Sequence, residues 1–148
     1  MIFLVIEMRN FYLFLINDNL YSLFKDNPYS IYNILKEICS LNNNDSMYGN
    51  NLFKSICSKI DADKLNRKIF IDYHRELCYK KDHKKHIYNN LYLNEETYME
   101  IKNSYIKIKS NKDYSYFLRA LSKYNLNLFV CDFKNHDYFF LENSKMLV

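Results

Sequence analysis

The amino-acid sequence predicts a single domain of the α+β class, with a mixed, mostly antiparallel sheet and helices packed on it. Two observations lead to this class. Apolar residues recur at helical spacing through most of the first half of the chain, whereas in much of the second half they alternate at strand spacing. Strand-like segments near both ends indicate a sheet assembled from both ends of the chain. Since no repeat or linker divides the 148 residues, we expect a leader at 1–7 and one domain over 8–148.

The composition excludes several classes of protein. With one Gly and one Pro, the chain cannot build the glycine-rich loops that hold phosphates in P-loop and dinucleotide-binding enzymes. The net charge of +4 permits an acidic partner but is well below that of a strongly basic DNA-binding domain. Four widely spaced cysteines, no signal peptide and no run of ~18 apolar residues predict a reduced, cytoplasmic protein without a membrane partner.

The first elements of the chain have the clearest patterns. Both alternating sets of side chains are apolar at residues 11–16, which predicts a central strand covered on both faces. Asn17 or Asp18 is suited to cap a short helix of about two turns that follows. Pro28 is placed for the first position of the next helix. The apolar stripe of that helix consists of Ile31, Ile34, Leu35 and Ile38.

The middle of the chain is more polar. Residues 41–51 predict a surface loop, and residues 52–60 a third helix. Apolar residues repeat every four positions over 63–79, which favours a helix, although KIFIDY within this segment is also compatible with a strand. The repeated residues are Leu65, Ile69, Tyr73 and Leu77. Residues 80–86 (KKDHKKH) predict a polar, basic loop.

Alternating patterns begin at residue 86. Residues 86–93 alternate roughly and residues 105–109 (YIKIK) alternate strictly, so both predict strands, the second with one solvated face. The segment between them, residues 94–101, is ambiguous.

The last part of the chain predicts a helix followed by an antiparallel pair. Asp113 is placed to cap the helix, and two apolar strands, at 127–133 and 138–141, flank the tight loop KNHD. The residues expected to face inward from the helix are Tyr114, Phe117, Leu118, Leu121 and Tyr124.

One group of side chains could hold a metal ion. It consists of His74, Cys78, His83 and His86. His74 and Cys78 would share one face of a helix, as chelating pairs do. However, four lysines surround the two later histidines, and charge repulsion disfavours a dication there. We therefore expect no metal and no cofactor.

Two further groups of residues each have a functional and a structural interpretation. The basic segment Lys80–His86, flanked by Tyr79 and Tyr88, could bind single-stranded nucleic acid, although such a segment is more often only solvated. Cys131 and His136 lie close in sequence, as a nucleophile and its base would. Because Cys131 lies in an apolar strand, we expect it to pack in the core, and we expect no enzymatic activity.

The first short helix is unusually apolar. It contains Leu20, Tyr21, Leu23 and Phe24. Two turns cannot hide four large side chains on one stripe, so some of them should lie exposed or at the rim. Exposed apolar groups on a rigid helix are typical anchors of protein–protein interfaces.

Both ends of the chain resemble the sporulation inhibitor of replication, the SirA family. The matching stretches are MRNFYLFLINDNLYSLFKDNPYSIYNILKE and FLRALSKYNLNLFVCDFKNHDYFFL, about a third of the chain. They share the family's aromatic-rich first strand, short helix and second helix, and its closing helix, aspartate-containing strand and aromatic strand. The middle, residues 41–103, matches by order of elements only. Since family members begin at the methionine equivalent to Met8, Met1 is a candidate mis-called start.

The resemblance implies a regulator that binds the N-terminal domain of the replication initiator DnaA, as a monomer in a 1:1 complex. Family members use two large aromatics, four residues apart on the first short helix. These positions correspond to Leu20 and Phe24, of which Leu20 departs from the aromatic pattern. Tyr21 and Lys25 would lie at the rim of the contact.

Overall fold

The computed structural model describes residues 7–40 and 46–142, except for the side chains of 46–48. Most of the predicted leader, residues 1–6, therefore lies outside the described residues. Seven strands and five helices form within them. The strands are β1 (Arg9–Leu15), β2 (Tyr79–Asp82), β3 (Lys85–Asn90), β4 (Glu95–Ile101), β5 (Ile106–Ser110), β6 (Leu128–Asp132) and β7 (Asp137–Phe140). The helices are α1 (Asp18–Phe24), α2 (Pro28–Ser40), α3 (Ser46–Ile56), α4 (Ala62–Tyr73) and α5 (Tyr116–Leu121).

The strands form one sheet in the order β2-β3-β4-β5-β1-β6-β7, and each neighbouring pair is antiparallel. This confirms the predicted α+β class. The early strand β1 lies between β5 and β6, so the sheet joins both ends of the chain as expected. No parallel pair occurs in the described sheet, where the sequence led us to expect a mixed one.

A hydrophobic core lies on each face of the sheet. Phe11 and Leu13 of β1 point into the first core, where α4 and α5 pack, whereas Phe14 and Ile16 point into the second core, beside α1, α2 and α3. All four side chains are almost fully buried, at 3% exposure or less. This confirms that the apolar run forms a central strand covered on both faces.

The helix that begins at Pro28 is confirmed, but the next helix begins earlier than predicted. α3 begins at Ser46, so the predicted loop at 41–51 is wrong over its second half, while residues 41–45 lie outside the described residues. Asn50 and Asn51 lie on the exposed face of α3 instead of in a loop. Polar residues on the solvated face of an amphipathic helix give the same composition as a loop.

The basic loop predicted at 80–86 is wrong, because this segment belongs to the β2–β3 hairpin. Tyr79 pairs with Tyr88, and Lys81 pairs with His86. The turn is closed by His83, whose φ of 56° lies in the left-handed region. α4 consequently ends at Tyr73, short of the predicted residue 79, and KIFIDY is helical.

Two other segments in the second half are now defined. The ambiguous residues 94–101 mostly form β4, in which Thr97, Met99 and Ile101 point into the first core.

The predicted cap of the last helix is wrong. Ser115 caps α5, because its hydroxyl accepts a hydrogen bond from the Leu118 N–H at 3.4 Å. Asp113 instead accepts from Nη1 of Arg9 at 2.5 Å.

Candidate partner-binding surface

α1 is held firmly at its first residues, where the chain leaves β1. The Ile16 N–H donates to the carbonyl of Asn127 at 2.9 Å, and the Asn17 N–H donates to that of Ile56 at 2.9 Å. Asn17 is the N-cap residue, as the sequence suggested, but its side chain makes no capping bond. Its amide nitrogen instead donates to the Ser55 carbonyl at 2.9 Å, which ties α1 to the end of α3.

A second tie reinforces this position. The amide nitrogen of Asn127 donates to Oδ1 of Asp18 at 2.7 Å, joining the first turn of α1 to the segment before β6. At the other end of the helix, the Lys25 N–H donates to the Tyr21 carbonyl at 2.9 Å. The ties to other elements therefore lie at the first residues of α1, and the bond at Lys25 closes the helix itself.

No residue of α1 is buried, although four of its seven residues are large and apolar or aromatic. Leu20, Tyr21 and Phe24 are half-buried and pack against the second core. The Tyr21 ring meets the Phe140 ring edge-on, with centroids 5.2 Å apart and planes at 87°. Leu23 points away from the protein, with 72% of its surface exposed, and Lys25 is also exposed.

Leu20 and Phe24 at the rim of the second core and the exposed Leu23 together form an apolar surface, which we call the α1 surface. These residues lie at i, i+3 and i+4 and so share one side of the helix. Leu23 was not among the site residues predicted from the sequence. A signal was available, because Tyr21 lies nearly opposite Leu23 around the helix, so packing of Tyr21 against the core turns Leu23 outward.

Comparison with known protein families matches residues 9–145 to the family described as "Sporulation inhibitor of replication protein SirA". The match spans nearly the whole chain, including the middle segment that resembles the family only by order of elements. The chain belongs to the SirA family. Comparison with curated proteins gave no significant match. The family is described by a regulatory effect, the inhibition of replication during sporulation, and not by a chemical reaction.

His86, a member of the metal-like group, makes its contacts with other side chains of the protein. His86 is fully buried, with Nδ1 2.7 Å from the Tyr79 hydroxyl and Nε2 2.7 Å from Oδ1 of Asn66. Burial, aided by the charge of Lys81, lowers the pKa of His86 to about 4, so the ring is neutral at pH 7. Within residues 7–40 and 46–142, no three metal-binding side chains come together.

Cys131 and His136 are not brought together either. Cys131 is completely buried in β6, and burial raises the pKa of its thiol far above the usual value. Nδ1 of His136 lies 3.4 Å from the hydroxyl of Tyr32, at the surface. A buried thiol with a raised pKa is a poor nucleophile, so its role in the described structure is packing.

Asp132, beside this cysteine, anchors the start of β1. Oδ2 accepts from Nε of Arg9 at 2.8 Å and from the Asn135 side chain at 2.7 Å, and Oδ1 accepts from the Asn135 N–H at 3.2 Å. Burial acts to raise the pKa of Asp132, but the hydrogen bonds from Asn135 and Arg9 outweigh it and keep the pKa below its usual value. No local pattern indicates Arg9 as the partner, because 123 residues separate the two.

None of the described helices is long and apolar enough to cross a membrane.

Proposed function

We propose that the protein inhibits the initiation of DNA replication by binding the N-terminal domain of the initiator DnaA through α1. Family membership supports the inhibition of replication, and the resemblance of the first strand and helix to the SirA family supports this partner and this helix. The observation that carries the proposal is the exposure of α1. A short, rigidly held helix with four large apolar or aromatic side chains and no buried residue fits a surface that is covered in a complex.

Within this complex, Leu20 and Phe24 insert into an apolar groove of the initiator domain, and Leu23 extends the contact outward. Tyr21 and Lys25 lie at the rim. The Tyr21 ring packs against Phe140 of the same protein, so Tyr21 contributes mainly to the shape of the contact surface. Lys25 is exposed and suits an acidic residue of the partner. Leu20 stands where the family carries an aromatic, so the partner's groove is expected to be narrower at that position.

The inhibitory mechanism follows from occupancy. While α1 covers the initiator's surface, that surface is unavailable for self-assembly of the initiator or for its other partners. Because the bonds of Asn17 and Asp18 hold α1 in place, little ordering is needed on binding. Such preorganisation reduces the entropic cost of association.

Titration calorimetry of the full chain with the isolated N-terminal domain of the cognate DnaA tests the proposal. We expect a 1:1 complex with micromolar or tighter affinity. The double variant Leu20→Ala, Phe24→Ala should weaken it by more than about thirtyfold, because truncating a buried anchor commonly costs about 2 kcal/mol. Circular dichroism should show that the variant remains folded, since both side chains are only half-buried.

A matched control removes apolar surface elsewhere. Leu91 and Tyr92 are 89% and 96% exposed in the β3–β4 turn. This turn lies at the end of the sheet near Arg9, whereas α1 follows Leu15 at the other end. Leu91→Ala, Tyr92→Ala should bind the domain as the wild type does. The absence of a complex at micromolar concentrations, or loss of binding in the control but not in the α1 variant, would contradict the proposal.

A further inference from the structure

A basic cleft of about 690 Å³ lies between α4 and the β2–β3 hairpin, on the face of the sheet opposite α1. The cationic residues that line it are Arg67, Lys81, Lys84 and Lys102. The Lys102 ammonium lies 5.5 Å from the centroid of the Tyr105 ring, which packs against the second core, so the charges that face the cleft are those of Arg67, Lys81 and Lys84. Asp63 and Glu100 also line it, so the lining residues carry an excess of two positive charges. We call this group the basic cleft. Its four cationic residues come from three separate parts of the chain.

None of the four cations has an ion-pair partner in the described structure. Among the described residues, the short contacts between a Lys, Arg or His side-chain nitrogen and a carboxylate oxygen involve only Arg9, His83 and Lys134. Cations gathered around a concave surface without partners raise the local potential and attract anions. The basic cleft is therefore suited to an anionic ligand.

An exposed pair of stacked rings lies next to these charges. The Phe70 ring, 42% of whose residue surface is exposed, stacks on His74 with centroids 5.0 Å apart and planes at 22°. Nδ1 of His74 lies 2.9 Å from the Phe70 carbonyl, which fixes the imidazole. On the Phe70 ring, the Lys81 ammonium lies 5.7 Å from the centroid. His74 is exposed, and no second ring of the described residues stacks on it.

Buried hydrogen bonds join the two walls of the basic cleft, α4 and the β2–β3 hairpin. His86 of β3 bonds to Asn66 of α4 through Nε2 and to Tyr79 of β2 through Nδ1, at 2.7 Å in both cases. Because all three elements meet at one buried imidazole, the hairpin that carries Lys81 and Lys84 is joined to the helix that carries Arg67. The backbone positions of these cations are thus set before any ligand arrives.

We infer that the basic cleft binds single-stranded nucleic acid. Backbone phosphates would contact Arg67, Lys81 and Lys84, and a base would stack on His74 and extend the His74–Phe70 pair. Cations beside exposed rings are the combination by which proteins bind single strands without reading sequence. An acidic peptide would use the cations but not the rings, so the observations favour nucleic acid. This inference does not depend on the proposed function, because the two surfaces lie on opposite faces of the sheet.

The test is fluorescence anisotropy of a labelled oligothymidine of about 15 nucleotides, titrated with the full chain in the absence of any initiator. At about 50 mM salt we expect saturable binding that weakens steeply as salt increases. Arg67→Gln, Lys84→Gln should weaken it about tenfold and reduce the slope of log affinity against log salt by about 1.4. His74→Ala should weaken binding by about tenfold while leaving that slope unchanged.

A charge-matched control is Lys54→Gln, Lys109→Gln, which removes two exposed lysines on the opposite face of the sheet. It should change the affinity by less than about twofold. Three results would overturn the inference: no binding at low salt, equal losses in the cleft variant and the control, or no loss in His74→Ala. Displacement of the oligonucleotide by an equal charge concentration of polyglutamate would also overturn it, because only the charges would then be recognised.

Discussion

α1 and α5 are short helices of similar composition but opposite placement. α1 has seven residues and α5 has six, and each carries several large apolar or aromatic side chains. Four residues of α5 are buried, whereas none of α1 is. The two helices show that the apolar content of a short helix does not determine its role. The two helices differ in burial, because α5 packs against the first core and α1 lies at the rim of the second.

The way each helix is held follows from this difference. A helix of two turns is not stable alone and needs tertiary contacts. In α5, burial of Phe117 and Leu118 supplies them, and the cap residue Ser115 is itself buried. In α1, hydrogen bonds at Asn17 and Asp18 hold the helix in place, so its apolar side chains do not all have to be buried.

The largest expected effect is in α5. Phe117→Ala should lower the free energy of unfolding by about 4 kcal/mol, because it deletes a fully buried aromatic side chain and leaves a cavity. Urea unfolding followed by circular dichroism measures this. The matched variant in α1, Leu23→Ala, should lower it by less than about 0.5 kcal/mol. Similar losses in both variants would contradict the contrast between the helices.

A second expected effect is a pH dependence of stability that comes from the side of the first core. His86 beside the first core has a folded pKa of about 4, against an ordinary value of 6.5. As the pH falls, the unfolded chain takes up a proton at this site before the folded chain does. The contribution of His86 to the free energy of unfolding is therefore fully present above pH 6.5 and decreases as the pH falls toward 4. The free energy lost is on the order of 3 kcal/mol. Urea unfolding at several pH values measures it, and His86→Gln should flatten the dependence in this window.

The pH profile should also leave the α1 surface unaffected. His136 lies 3.4 Å from the Tyr32 hydroxyl of the second core, but the hydrogen bonds and ring contacts of the histidines in the described structure involve no residue of α1. Affinity for the initiator domain should accordingly stay constant from pH 7 to about pH 6, where the protein is still folded. A change in affinity over this range would contradict this expectation.

The smallest expected effect distinguishes positions within α1. Leu23→Ala should weaken binding to the initiator domain by about fivefold, with little change in stability, because Leu23 is exposed at the edge of the proposed contact. Phe24→Ala should weaken binding about thirtyfold. Calorimetry of both variants checks this order. A Leu23 variant that loses more affinity than the Phe24 variant would move the centre of the interface outward along the helix.

Much of the fold was predictable where one pattern dominated. Apolar residues on both alternating sets identified β1, and Ile106 and Ile108 identified β5 with its solvated lysines. β2 was not predictable from local sequence, because Lys80, Lys81 and Asp82 are all exposed and only Tyr79 is buried. Its strand structure depends on pairing with β3, which no local pattern encodes.

The functional surfaces were predictable to different extents. The α1 surface could be placed because a family resemblance coincided with four large residues on two turns, although Leu23, one of these four, was not expected to be a contact residue. The basic cleft could not be predicted from the sequence. Arg67, Lys84 and Lys102 are far apart along the chain, and the segment 80–86 was expected to act as a continuous basic loop. Pairing in the hairpin instead divides its lysines between two faces of the sheet.

The most direct test of the account is hydrogen–deuterium exchange of the full chain with and without the N-terminal domain of DnaA. We predict that amides of α1 from Leu20 to Lys25 exchange at least about tenfold more slowly in the complex, while those of α5 are unchanged. Protection of α5 or of the hairpin, with α1 exchanging as in the free protein, would contradict the central claim that α1 is the surface that binds the initiator.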